Sequence, residues 1–250
     1  LISSVVQTEK IKMLSLRLIT LFAVALAGSS LAKDERLPNM ITVNMSGYMY
    51  CVGTVISKNR VLIPAMCASS GGSSITVGDR SGNVPFYDSG RLYSIINIKF
   101  HPDRDYMNQA NEYAILTVDR AIDAGKGFKG AKLAKGDVEI PEGSIGTTIR
   151  RASSMTTTPV SYPWSPLEYQ SVRVTNGAAC KEMFLDRWTA DYICAEPADT
   201  SDIYNPYGVE SGAPLVVDGQ IVGIAACDMG CWGTTLAFRR ISTLGDFIAQ

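Results

Sequence analysis

The sequence predicts an all-β protein, either a sandwich or a barrel. Three observations carry that prediction. Short runs rich in β-branched and aromatic residues recur between turn residues along most of the chain. No long amphipathic helix interrupts them. Of the 250 residues, 46% are hydrophobic and 19% charged, a composition that can bury a core and excludes global disorder.

Met13 is the first methionine, and a targeting pattern follows it. Arg17 supplies a basic start, Leu18 to Ala27 an apolar run, and Ser30-Leu31-Ala32 a small-x-small cleavage pattern. The expectation is a secretory signal peptide cut after Ala32, with residues 1–12 upstream of it. A membrane anchor is the rival reading. The apolar run falls short of the roughly 20 residues that a spanning helix needs.

The strands are expected at Ile41–Met45, Tyr48–Ile56, Arg60–Ile63, Ser74–Val77, Leu92–Phe100 and Tyr113–Val118. A second series covers Thr147–Arg150, Gln170–Val174, Tyr192–Cys194, Ala213–Val217, Gln220–Ala225 and Thr234–Phe238. Asp218-Gly219 between two apolar runs is the clearest hairpin turn. Residues 119–145, rich in Gly, Lys and Ala, read as a connector between two β halves. Its Lys126, Lys129, Lys132 and Lys135 recur every third residue. They suit either a polyanion such as heparin or plain solvent, and solvent is favoured because runs of charge usually face solvent. Ile241, Leu244, Phe247 and Ile248 have helical spacing and predict a short C-terminal helix.

A net charge of −1 argues against a general nucleic-acid or anionic-membrane partner. Six cysteines, Cys51, Cys67, Cys180, Cys194, Cys227 and Cys231, follow the targeting segment and suggest three disulfides in an oxidising compartment. Six cysteines allow 15 connectivities, which spacing alone does not settle. A zinc site is the weaker reading, since the chain has no CxxC and its one histidine lies far from each pair. No metal or cofactor motif is visible. Asn44-Met45-Ser46 is a glycan acceptor pattern. The single histidine, His101, excludes any mechanism that needs two.

Three segments together resemble the trypsin-like serine proteases. Cys51-Val52-Gly53-Thr54-Val55-Ile56-Ser57 with Val61-Leu62-Ile63-Pro64-Ala65-Met66-Cys67 is similar to C-G-G-S-L-I-S…V-L-T-A-A-H-C. Asn111-Glu112-Tyr113-Ala114-Ile115-Leu116 is similar to N-D-I-A-L-L. Gly208-Val209-Glu210-Ser211-Gly212-Ala213-Pro214-Leu215-Val216 stands where the family has x-G-D-S-G-G-P-L-V. The resemblance spans about residues 41–249. It implies two packed antiparallel Greek-key barrels, about 41–120 and 146–250, the second ending in the helix. It also implies the disulfides Cys51–Cys67 and Cys180–Cys194. Tyr207 replaces a cysteine of a further family bridge, and Cys227 and Cys231, left over, are expected to pair with each other.

A serine hydroxyl is a weak nucleophile until a neighbouring base takes its proton, and in the triad a carboxylate orients that base. Carried over residue by residue, the nucleophile position holds Ser211, the histidine position Met66 and the aspartate position Glu112. A thioether does not shuttle protons at neutral pH. His101, followed by Pro102, falls on an outer loop of the resembled fold, away from the cleft. The oxyanion hole uses backbone N–H groups, and Val209 replaces the glycine that supplies one of them beside Ser211. Glu210 replaces the aspartate that receives the new N-terminal amine after activation, and Arg36-Leu37-Pro38-Asn39-Met40 replaces the usual I-V-G-G start. In the specificity pocket, Asn205 stands where an acid would select Lys or Arg, and Ala226-Cys227-Asp228 replaces S-W-G.

Loss of the base costs about 10⁶ in kcat in a well-studied serine protease. Damage to the oxyanion hole removes about 10²–10³ more. The expectation is therefore a secreted, catalytically inactive serine protease homologue that binds an extracellular protein, such as an active protease or an inhibitor. The alternatives are a weak peptidase or esterase that uses Ser211 with a non-histidine base, and a polyanion-binding protein that uses the connector lysines.

Overall fold

Two strands organise the architecture. β3 (Arg60–Pro64) and β6 (Tyr113–Val118) are nearly unbroken apolar runs, RVLIP and YAILTV. Successive side chains of a strand point to opposite faces, so such a run must be covered on both. Val61, Ile63, Ala114, Leu116 and Val118 enter one core with Cys51, Val55 and Tyr93. Leu62, Tyr113 and Ile115 enter another with Leu215, Ile224 and Phe238, which belong to the C-terminal half. The same two strands thus fill their own barrel and glue it to its neighbour. Full burial of an aliphatic side chain is worth about 1.5–3 kcal/mol.

The computed structural model describes residues 40–45, 49–69, 74–77, 91–105, 111–122, 132–151, 167–199, 208–225 and 233–250, all within a compact unit, Leu37–Gln250. The other strands of the first half are β1 (Met40–Met45), β2 (Met49–Val55), β4 (Ser74–Val77) and β5 (Arg91–Phe100). They form an antiparallel sheet in the order β1-β2-β3-β6-β5-β4, and its outer strands β1 and β4 lie against each other. The second half contains β7 (Ile145–Arg151), β8 (Leu167–Val174), β9 (Tyr192–Pro197), β10 (Pro214–Val217), β11 (Gln220–Ala225) and β12 (Leu236–Arg240). These six close into a barrel, β7-β8-β9-β12-β11-β10, shut by Val216 of β10 pairing with Thr147 of β7. Both halves thus use one strand order, in which the third strand pairs with the sixth.

Each of the twelve strands overlaps a predicted run. Asp218 (φ 50°) and Gly219 (φ 70°) are both left-handed, as the tight hairpin between β10 and β11 requires. The chain ends in a 3-10 turn, Ile241–Leu244, and a helix, Gly245–Ala249, that bury Ile241, Leu244 and Phe247. Among the described residues, two other short α-helices were not legible as periodicity. They are α1 (Ala65–Ser69) and α2 (Ala178–Phe184), and the terminal helix is numbered α3. One or two turns are too short to establish a 3.6-residue period. Cys51–Cys67 fastens α1 to β2, and Cys180–Cys194 fastens α2 to β9.

The connector is more ordered than a bare linker where it is described. Leu133 bridges Ile221 in parallel, Ile221 N–H donates to Lys132 O, and Ala134 N–H donates to Ile221 O. The expected signal peptide, Arg36, Lys126, Lys129, Asn205, Tyr207, Ala226, Cys227, Asp228 and Cys231 lie outside the described residues, as does the side chain of Asn44. No described helix is long and apolar enough to cross a membrane.

Candidate active site

The end of β3 and the start of β6 set the first two positions. Pro64 pairs with Tyr113, and the next residue, Ala65, donates its N–H to Glu112 O at 2.8 Å. Proline has no N–H, which suits a strand end, and the chain turns there into α1. Met66 is the second residue of α1, with 39% of its surface exposed, and its neighbour Cys67 is held by the disulfide to Cys51.

The third position rides on a turn. Ala213 N–H donates to Glu210 O at 3.0 Å, closing Glu210-Ser211-Gly212-Ala213. Gly212 sits at φ +80°, which an L side chain resists. A Cβ there would fall 2.0 Å from Val52 O and 2.7 Å from Pro64 Cδ. Glycine is thus required on two counts. The close approach lets Val52 N–H donate to Ser211 O at 2.8 Å. Glu210 N–H donates to Ile149 O at 3.0 Å, which ties the same turn to β7. Pro64 and Val52 therefore bring the turn to the corner that carries Met66 and Glu112.

The side chains at this junction have different surroundings. Ser211 Oγ is buried and, among the described residues, has no hydrogen-bond partner. Glu112 is engaged elsewhere: Arg104 Nε donates to its Oε1 at 2.7 Å, with side-chain exposures of 19% and 11%. The Arg104 guanidinium lies over the Phe100 ring, 4.8 Å from its centre. Val209 is buried, and so is Glu210. Neither the Val209 nor the Ser211 N–H donates to a backbone carbonyl among the described residues.

The loop that holds Arg104 is itself held. Asn111, left-handed at φ 53°, donates from Nδ2 to Asp103 O at 3.0 Å and accepts at Oδ1 from Arg239 Nη2 at 3.0 Å. Arg239 also pairs with Asp191 at 3.2 Å and lies over the Tyr192 ring. Histidine 101 belongs to a different environment. The His101 ring packs on Phe247 of α3 at 4.8 Å between centres, and Asp103 N–H donates to its Nδ1 at 3.2 Å. Partial burial lowers its pKa from the ordinary value; Asp103 opposes the shift and Arg239 reinforces it.

Arg104 and Arg239 are the residues that sequence reasoning did not single out. The available signal was a cation eight positions before Glu112, but a polar loop offers many such coincidences. Among the described residues, no group of three or more His, Cys, Asp or Glu could hold a metal ion.

The sequence pattern of the Trypsin family matches residues 27–248. The chain belongs to the trypsin family. The vitellin-degrading protease of Bombyx mori is 27% identical over 218 residues, covering 85% of this chain and 80% of that protein. Hypodermin-B of Hypoderma lineatum is 25% identical, covering 82% and 78%. Trypsin delta of Drosophila melanogaster is 23% identical, covering 82% and 79%. Solved structures share the trypsin fold. Human heparin binding protein superposes with a TM-score of 0.65 at 19% identity, over 87% of this chain and 92% of that one. Kallikrein-related peptidase 10 in complex with Zn2+ gives 0.64 at 18% identity, over 86% and 95%.

Proposed function

We propose that this trypsin-family chain is a secreted, non-catalytic protease homologue that works by binding an extracellular protein, as a cofactor of an active protease or a decoy for an inhibitor. The observation that carries the reading is residue 66: the base position holds a thioether, while the only histidine in the chain packs on Phe247. The other site residues agree. Ser211 Oγ has no acceptor among the described residues, and the Glu112 carboxylate is bonded to Arg104. A serine without a base is a poor nucleophile, and the binding scaffold survives its loss. Secretion is supported by the targeting pattern before Ala32 and by the two disulfides.

The polyanion reading receives less support. Lys132 and Lys135 are exposed, but Asp137, Glu139 and Glu142 follow them and are exposed as well, so this stretch does not present charge of one sign.

The test has two arms. Purified protein is assayed against a broad peptide library, beside Ser211→Ala. It is also titrated against a panel of trypsin-family proteases and their protein inhibitors. The reading predicts no Ser211-dependent turnover and saturable binding to a panel member, unchanged in Ser211→Ala. Turnover that Ser211→Ala abolishes overturns it.

A further inference from the structure

We infer that Arg104 is a second inactivating residue, an internal counter-cation that removes the Glu112 carboxylate from the relay independently of the methionine at position 66. This deepens the non-catalytic reading above and rests on it.

A carboxylate serves a catalytic imidazole in two ways: it accepts a hydrogen bond, and its charge stabilises the imidazolium. Arg104 opposes both. Its Nε takes Oε1 at 2.7 Å in a charge-assisted hydrogen bond. The guanidinium charge cancels the carboxylate charge where both side chains are largely shielded from water, so solvent does little to screen the pair. The arginine is also pre-placed. Phe100 supports its guanidinium, and Asn111 pins the loop through the Asp103 carbonyl while Arg239 holds Asn111. Restoring an imidazole at position 66 therefore puts it beside a neutralised carboxylate.

Arg104 is a positioning residue in this account, and its role is read from the imidazole that Met66→His introduces. The chain has one other histidine, so its NMR titration adds a single new resonance set. The pKa of the new imidazole is measured in Met66→His and in Met66→His with Arg104→Gln. Both are repeated with Glu112→Gln. A free carboxylate within about 4–6 Å favours the charged form by about 1–3 pH units. Removing Arg104 is expected to raise the imidazole pKa by about one unit or more while Glu112 is present, and by less than half as much once Glu112→Gln is added. A rise of equal size in both backgrounds means that Arg104 acts only as a distant like charge, and overturns the inference. No rise in either overturns it as well. Arg104→Met, which keeps an apolar stem over Phe100, replaces Arg104→Gln should that variant not fold. Wild-type turnover is measured separately, so failure of the non-catalytic reading and failure of this one are distinct results.

Discussion

The Ser211 turn and the corner formed by Met66 and Glu112 meet at one junction, yet they differ in what holds them. The turn is fixed by its glycine, with Gly212 at φ +80° against Val52 O and Pro64 Cδ. At the corner, Pro64 pairs with Tyr113 and Ala65 N–H donates to Glu112 O, while the Glu112 carboxylate is bonded to Arg104. Backbone geometry at this junction is part of how the two barrels pack, so folding demands it. The side chain at position 66 is exposed, and that of Glu112 bonds Arg104.

The turn is most sensitive at Gly212. Gly212→Ala places a Cβ 2.0 Å from Val52 O at a left-handed φ, so the turn must move away from β2. The expected loss is about 3 kcal/mol or more, read by chemical denaturation. Met66→Ala, on the exposed side of the same junction, is expected to stay within about 1 kcal/mol. Equal losses at the two positions would remove the distinction between scaffold and chemistry.

Next in size is Leu62→Ala, which empties the core shared by the two barrels. The expected cost is about 2–5 kcal/mol. Replacing Cys51 and Cys67 together by serine is expected to cost about 2–5 kcal/mol, through freedom restored to the unfolded chain. Smaller again is Arg104→Gln, at about 1–3 kcal/mol, because a charge-assisted bond to a shielded carboxylate is lost.

The smallest effect belongs to His101. Its pKa is lower in the folded protein than in the unfolded chain, so the fold favours the neutral imidazole. That contribution is fully present above the unfolded pKa of about 6.5 and is lost as pH falls through the folded value. Thermal denaturation of wild type beside His101→Gln from pH 7.5 downwards checks the sign. The wild type is expected to lose slightly more stability on acidification below pH 6.5.

Most of the strand order was legible because β-branched runs and turn residues mark strands directly. Asp218-Gly219 is the sharpest instance, since a tight hairpin needs left-handed backbone at both positions. The double burial of β3 and β6 could be read as continuous apolar sequence, but which face met which barrel could not. Residues 66, 112 and 211 were singled out through motif spacing, and the structure brings their backbones to one junction. Arg104 was not, because its partner is fixed by how the loop after β5 folds back on the start of β6. The helices α1 and α2 were missed because they are held by disulfides and tertiary packing rather than by an amphipathic repeat.

On the proposed reading, Ser211 is not an activated nucleophile. The direct measurement is covalent labelling of the purified wild-type protein with a fluorophosphonate probe, beside an active trypsin under identical conditions, with the labelled residue located by mass spectrometry. The account predicts no labelling at Ser211 while the active trypsin is labelled to completion. Stoichiometric labelling at Ser211 would contradict it, because some other group would then be taking the hydroxyl proton.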